Sequence, residues 1–118
     1  ICNLQDSAFY YYPNGIIEKK GRYVSGLYED EWIVLYQTGM LKRSVTYHMG
    51  FPHGPIKYYS ETGVLLQEGG YVHGEEDGEW KFYSPKGWLQ YIGSYADGEK
   101  VGEWYQLKKN GKRKLMAY

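Results

Sequence analysis

Apolar and polar residues alternate along short segments of the chain. In residues 78–83, Trp80 and Phe82 share one parity, and Glu79 and Lys81 share the other. A period of two predicts a strand with one face on a packed surface and the other toward solvent. Glycine-containing stretches separate these segments, and a helical period does not explain them. The pattern therefore predicts short strands joined by tight turns.

The alternating segments recur every 24 residues. Two series of glycine, one of tyrosine and one of tryptophan keep this interval, and Ile56 fills the missing tryptophan position. The series are Gly15, Gly39, Gly63, Gly87 and Gly111; Gly26, Gly50, Gly74 and Gly98; Tyr23, Tyr47, Tyr71 and Tyr95; and Trp32, Trp80 and Trp104. A fixed period of this length indicates a repeat protein. We interpret residues 1–118 as one repeat domain with units at approximately 6–29, 30–53, 54–77, 78–101 and 102–118.

Each unit is predicted to be a β-hairpin. Its first turn ends in glycine, and two of these turns are Asn-Gly, at Asn14-Gly15 and Asn110-Gly111. Asn-Gly favours a hairpin turn because both residues tolerate positive φ. Five tandem units then give about ten strands, and a spacing of about 4.8 Å gives a row on the order of 45 Å long. We predict an all-β, elongated single-layer antiparallel sheet of five tandem 24-residue β-hairpin repeats.

The repeated residues resemble a known family. The motif Gly-Glu-Trp-x-x-Tyr, x-x-x-Gly-x-Leu, Gly-x-Tyr-x-x-Gly is similar to the membrane occupation and recognition nexus (MORN) repeats, above all to their bacterial variant, antitoxin-family form. The similarity spans roughly residues 8–117 and is cleanest in the copies that begin at Gly78 and Gly102. Repeat three departs from the motif with Gly54-Pro55-Ile56. The resemblance implies a hairpin array that serves as an interaction platform.

Composition and charge narrow the classes of partner. Aromatic residues make up 19% of the chain and there are 16 glycines, which favours strands and turns over helices. The formal net charge of zero removes the long-range attraction on which nucleic-acid binders rely, so we expect no nucleic-acid partner. Within this balance, residues 99–118 carry six Lys/Arg against two Asp/Glu and are basic.

The start of the chain bears on localisation. The single cysteine, Cys2, cannot form an internal disulfide. It is a candidate for lipidation, and the alternative is an unmodified cysteine in a frayed end. Ile1 stands where a methionine would begin a full-length chain, which is consistent with a processed product. These features lean toward the bacterial cell envelope, exported or lipid-anchored, over the cytoplasm.

Sites for metal or catalysis are not indicated. His48, His53 and His73 lack zinc-finger spacing, and the acidic segments 29–31 and 75–77 lack the spaced oxygen ligands of calcium loops. The two interpretations of the acidic segments are a weak calcium site and a solvated acidic edge that discourages aggregation. No nucleophile-base signature or phosphate loop is present in the sequence. We therefore predict no catalytic residues, no metal, no cofactor and no enzyme activity.

The candidate residues for protein binding are aromatic. Tyr11, Tyr59 and Tyr83 recur at one strand position, and Trp88 follows the next turn. Their alternative role is cross-strand packing. In residues 50–55 two prolines replace the usual turn, which predicts less continuous pairing and an outward display of Phe51 and His53. The alternative is simple drift of the repeat.

One basic cluster flanks the last Asn-Gly turn. It consists of Lys108, Lys109, Lys112, Arg113 and Lys114. The cluster is a candidate contact for an anionic partner or membrane surface, or else a solvated cap on the terminal repeat. We predict a non-enzymatic protein-interaction or scaffolding module, in some cases a subunit of a larger assembly, that binds through the aromatic face. The alternatives are a peripheral membrane or envelope module and an antitoxin-like neutraliser of one protein.

Overall fold

The computed structural model describes residues 5–118, with the backbone alone described at Gln5. These residues form one open antiparallel sheet, and the chain has 68% strand and no helix over this range. The strands are β1 (Gln5–Tyr11), β2 (Ile17–Val24), β3 (Leu27–Leu35), β4 (Leu41–His48), β5 (Phe51–Tyr59), β6 (Leu65–Val72), β7 (Glu75–Glu76), β8 (Gly78–Tyr83), β9 (Leu89–Ala96), β10 (Glu99–Leu107) and β11 (Arg113–Met116). The predicted all-β hairpin sheet is confirmed.

The strands follow one another in chain order across the sheet. Each pairs with its sequence neighbours, and the two-residue β7 pairs with β6 beside the longer β8. The molecule measures 56 × 33 × 15 Å, so it is elongated along the row of strands and one layer thick. The outer borders of β1 and β11 form the two ends of the row, and the turns form its two long edges.

The turns of the first glycine series form one long edge, which we call edge B. Gly15, Gly39, Gly63, Gly87 and Gly111 all have positive φ, and each donates its N–H to the residue three positions earlier. Asn14 does not share the positive φ expected for Asn-Gly. Its Oδ1 instead accepts the N–H of Ile16 at 3.0 Å. The reason is loop length: three residues separate Tyr12 from Ile16, and such loops combine a type I turn with one left-handed glycine.

The second glycine series forms the other long edge, edge A. Its turns are Ser25-Gly26, Met49-Gly50, His73-Gly74 and Asp97-Gly98, and both residues of each turn have positive φ, as in a type I′ turn. The glycine N–H of the last three turns donates to a carbonyl of the preceding repeat, at Tyr28, Pro52 and Glu76. Neighbouring turns of edge A are therefore joined directly by hydrogen bonds.

Repeat three pairs more continuously than its prolines predicted. β5 runs unbroken from Phe51 to Tyr59 and has partners on both sides. The pairing register with β4 shifts between Val45 and Tyr47, which leaves Pro55 in a bulge, where a missing N–H is tolerated. The interrupted strand lies in repeat four, between β7 and β8, so the expectation of a weak junction at residues 50–55 was wrong.

Candidate functional site

Three tryptophans form the packed face of the sheet, which we call the tryptophan face. Trp32, Trp80 and Trp104 are each 3% exposed. A Cβ atom built on Gly21, Gly69 or Gly93 would lie 2.0 to 2.1 Å from Cδ2 of the facing indole, so each ring lies directly on a glycine. The three indole N–H groups donate to backbone carbonyls of Arg22, Gly70 and Ser94 at 3.0 to 3.1 Å. Every buried indole is therefore both packed and hydrogen-bonded.

Repeat three lacks the tryptophan, and a second change, at the position that is glycine elsewhere, compensates for its absence. Ile56 takes the tryptophan position, and Val45, its partner on β4, takes the glycine position. Both are buried, at 3% and 5% exposure. Two medium-sized side chains thus fill the space that a large ring on a bare backbone fills elsewhere. The signal in the sequence is a further 24-residue series, Gly21, Val45, Gly69 and Gly93, which lies outside the four series that define the repeat above.

Candidate tyrosines lie on the face of the sheet away from the tryptophans, which we call the opposite face. The Tyr83 hydroxyl donates to Oε1 of Glu68 at 3.2 Å, and Glu68 pairs across the sheet with Lys57 and Lys81. Because Tyr83 directly follows Phe82 of the tryptophan face, alternation places it on the opposite face. A register shift immediately before Tyr11, Tyr59 and Tyr83 gives all three the same setting.

The aromatic face and the candidate residues are therefore on different sides. Six tyrosines, Tyr23, Tyr28, Tyr47, Tyr58, Tyr71 and Tyr95, pack around the buried core of the tryptophan face. Placing Tyr11, Tyr59 and Tyr83 on the aromatic face was wrong, because a strand alternates its side chains and these residues have the parity of the polar positions. Tyr11 is exposed, and Tyr59 and Tyr83 are half-buried.

Phe51 and His53 lie together beside edge A. Phe51 pairs with His48 across the hairpin and is 62% exposed. The ring of His53 lies between two other imidazoles, 6.1 Å from His48 and 5.0 Å from His73 between centroids. Its Nδ1 accepts the backbone N–H of His73 at 3.1 Å. The three histidines of the sequence therefore meet in one row that spans two neighbouring turns.

Glu29 of repeat one contacts this row at His48. One carboxylate oxygen lies 2.8 Å from Nδ1 of His48, and the other accepts the N–H of Met49 at 3.2 Å. The hydrogen bond with His48 contributes most, and the one from the N–H of Met49 adds to it; together they hold the pKa of Glu29 below its ordinary value. Within residues 5–118, no group of three or more His, Cys, Asp or Glu side chains is arranged to hold a metal ion.

The basic cluster lies at the C-terminal end of edge B. All five of its side chains are exposed. The guanidinium of Arg113 lies 4.3 Å from the ring centroid of Tyr105, and Lys114 pairs with Gln106, so the cluster is distributed over both faces of the last hairpin. Trp88 is half-buried, and the Nζ atom of Lys109 lies 5.9 Å from its ring centroid. The structure thus places Trp88 with the basic cluster and apart from Phe51.

Two further observations concern the membrane hypothesis. Over the part of the chain that the structure describes, no helix is long and apolar enough to cross a membrane. The lipidation candidate Cys2 lies outside the described residues.

Comparison with known proteins identifies the repeat. No curated protein matches the chain. The family model described as MORN repeat variant matches residues 7–25, 52–73 and 76–97, which together are more than half of the sequence. The matched stretches fall in repeats one, three and four, and each includes a complete strand of the sheet. Both the sequence pattern and the row of hairpins agree with this match, and the chain belongs to the MORN repeat variant family.

Proposed function

We propose that the chain is a non-enzymatic protein-binding module whose partner contacts the opposite face of the sheet. MORN repeats are generally protein- or membrane-interaction repeats of a non-catalytic type, which supports a binding role. The observation that carries the choice of face is the distribution of exposed apolar side chains. Of the large exposed hydrophobic residues, seven lie on the opposite face by strand pairing: Phe9, Tyr11, Leu27, Phe51, Val72, Val101 and Leu115.

The tryptophan face offers less accessible surface of this kind. Its rings cover one another and the backbone glycines, and Tyr10 is its one strand residue among the large exposed hydrophobics of the described chain. A single-layer sheet has no second sheet to cover its opposite face. The apolar groups of the opposite face therefore stay in contact with water until a partner covers them. Aromatic side chains in such positions are the residues that dominate binding energy at protein interfaces.

Affinity capture with matched variants tests this function. We expect the wild-type chain to retain a protein partner, and Tyr11→Ser with Phe51→Ser to lose it while the melting temperature stays unchanged, because both side chains are exposed. Lys42→Ser, a half-buried edge B residue outside the exposed apolar set, is the control. Retention of the partner by the double variant, or loss of it by the control, would contradict the proposal. Capture of one protein at 1:1 stoichiometry favours an antitoxin-like neutraliser, and capture of several favours a scaffold.

A membrane surface is the second candidate, favoured by the exposure of all five residues of the basic cluster. Several cations on one hairpin attract anionic headgroups, and the attraction weakens with salt. Co-sedimentation with vesicles of neutral lipid, alone and mixed with anionic lipid, tests it. Binding only to the anionic vesicles, and its loss when the cluster is neutralised to glutamine, would support this function. Equal sedimentation with both kinds of vesicle would exclude the cluster as its cause.

A further inference from the structure

Four exposed apolar side chains lie along edge A in three successive repeats, and we call them the edge A strip. They are Leu27, Met49, Phe51 and Val72, with 46%, 61%, 62% and 41% of their surface exposed. Leu27 lies over the next turn, since a Cβ atom built on Gly50 would be 3.4 Å from its Cδ2. Phe51 lies in the same way over Gly74, at 3.6 Å. The strip therefore extends from repeat one to repeat three.

The fold does not require apolar residues in the strip. The position of Leu27 and Phe51 is occupied by Glu75 in repeat three, and Glu75 lies over Gly98 at 3.7 Å in the same manner. A carboxylate side chain thus meets the same local packing need. Water-exposed leucine and phenylalanine at this position are consequently not explained by folding.

Met49 gives a second, independent indication. It occupies the first position of a type I′ turn at φ 51, where repeats one, three and four have Ser25, His73 and Asp97. Such positions favour Asn, Asp and Gly, and a long aliphatic side chain there costs backbone free energy. A strained and exposed methionine is consistent with selection for contact with a partner.

Charge around the strip defines the chemistry of that partner. The segments of edge A, residues 25–31, 48–54, 72–78 and 96–102, hold eight carboxylates and one lysine. The carboxylates are Glu29, Asp30, Glu31, Glu75, Glu76, Asp77, Asp97 and Glu99. The strip itself lies beside the three imidazoles of the histidine row. An apolar centre with a negative border matches an apolar group with positive neighbours.

We propose, resting on the protein-binding function above, that the edge A strip binds a basic protein segment in which an apolar or aromatic side chain lies between lysines or arginines. The apolar side chain covers Phe51 and Met49, and the cations face the carboxylates of the acidic segments 29–31 and 75–77. This identifies the partner class and places its contact at edge A of the opposite face.

A labelled model peptide tests the proposal directly. The probe has one phenylalanine between two pairs of lysines, and its two relatives replace the lysines by glutamates or the phenylalanine by glycine. Fluorescence anisotropy with the complete chain should show binding of the first peptide alone, weakened by salt because exposed charges are screened. Phe51→Ser should weaken binding about tenfold or more, as expected of a central aromatic contact. Glu75→Gln, at the residue that pairs with Val72 of the strip, should weaken it and reduce its dependence on salt.

Met40→Ser is the matched control, because Met40 is a large apolar residue next to Gly39 at edge B, has 43% exposure and lies outside the exposed apolar set of the opposite face. It should leave peptide affinity unchanged. Equal binding of all three peptides, no binding of any, or an equal loss in Phe51→Ser and Met40→Ser would overturn the proposal. Self-association in sedimentation equilibrium that Phe51→Ser abolishes would also overturn it, since a second copy would then occupy the strip.

Tyr11→Ser and Phe51→Ser, each made singly, separate this proposal from the protein-binding function. If the captured partner is lost in Tyr11→Ser and retained in Phe51→Ser, the opposite face binds protein and the edge A strip does not. If the chain retains no protein and sediments only with anionic vesicles, the protein-binding function itself fails.

Discussion

At the scale of single residues, the fold depends on glycines that receive an indole. The ring of Trp80 lies where a side chain on Gly69 would be, and the same relation holds for Trp32 on Gly21 and Trp104 on Gly93. Glycine is needed at these positions for space, since none of the three has positive φ. Tryptophan and glycine thus form one unit of packing that spans 11 residues of sequence.

Gly69→Ala should destabilise the protein by about 3 kcal/mol, the upper end of the range for overpacking a well-packed site. The added methyl group would lie 2.1 Å from Cδ2 of Trp80, and a buried ring cannot move away freely. Denaturant unfolding measures the loss. The control is Gly70→Ala, where the new atom would have its nearest neighbour at 3.5 Å. Equal destabilisation by both changes would contradict the role assigned to Gly69.

The compensated pair in repeat three predicts a non-additive exchange. Ile56→Trp alone should destabilise, because the indole would meet the side chain of Val45, and Val45→Gly alone should leave a cavity. The double variant restores the tryptophan-on-glycine unit of the other repeats. We expect a favourable coupling of at least about 1 kcal/mol in a double-mutant cycle measured by denaturant unfolding. Additive free energies would show that the two positions are independent.

At the scale of elements, the sequence predicted the hairpins well and the turn geometry less well. A period of 24 and alternating side chains suffice to place the strands, because both depend on spacing alone. The conformation at Asn14-Gly15 depends on how many residues separate the paired strand ends, which the dipeptide does not reveal. Likewise Pro55 is accommodated by a bulge whose position depends on the partner strand. The Phe51 and His53 candidates stay predictions, as do the three tyrosines and Trp88.

The type I′ turn of repeat two, Met49-Gly50, allows a test of backbone strain. Met49→Asn should stabilise the protein by about 0.5 to 1 kcal/mol, because asparagine tolerates the left-handed conformation. Thermal unfolding should show this as a rise of roughly 2 to 6 °C in the melting temperature. Asp97→Asn, at the same position of repeat four, should change little because aspartate already suits the turn. If Met49→Asn destabilises the chain, the side chain of Met49 contributes packing that exceeds the strain.

At the scale of the whole molecule, the tryptophan face should make stability sensitive to alkali. Burial raises the pKa values of Tyr47, Tyr71 and Tyr95 above the ordinary tyrosine value of about 10. A raised folded pKa means that this stability is complete below about pH 10 and is lost as the pH rises through the folded values. Tyrosinate absorbance and circular dichroism followed together should show ionisation of these side chains accompanying unfolding. Full ionisation with an intact sheet would contradict the packed face.

Charge is separated across the sheet, although the chain as a whole is neutral. The segments of edge B, residues 12–18, 36–42, 60–66, 84–90 and 108–114, carry the basic cluster with Lys42 and Lys86 and only two carboxylates, Glu18 and Glu61. The segments of edge A carry eight carboxylates and one lysine. Such a molecule has an electric dipole directed across the sheet, from one long edge to the other, and no net charge. A distant charged body therefore first rotates the molecule and attracts it only once it is oriented. A cationic body would thus be met with edge A leading and an anionic one with edge B leading. One neutral sheet can in this way present two different sides, selected by the sign of what approaches.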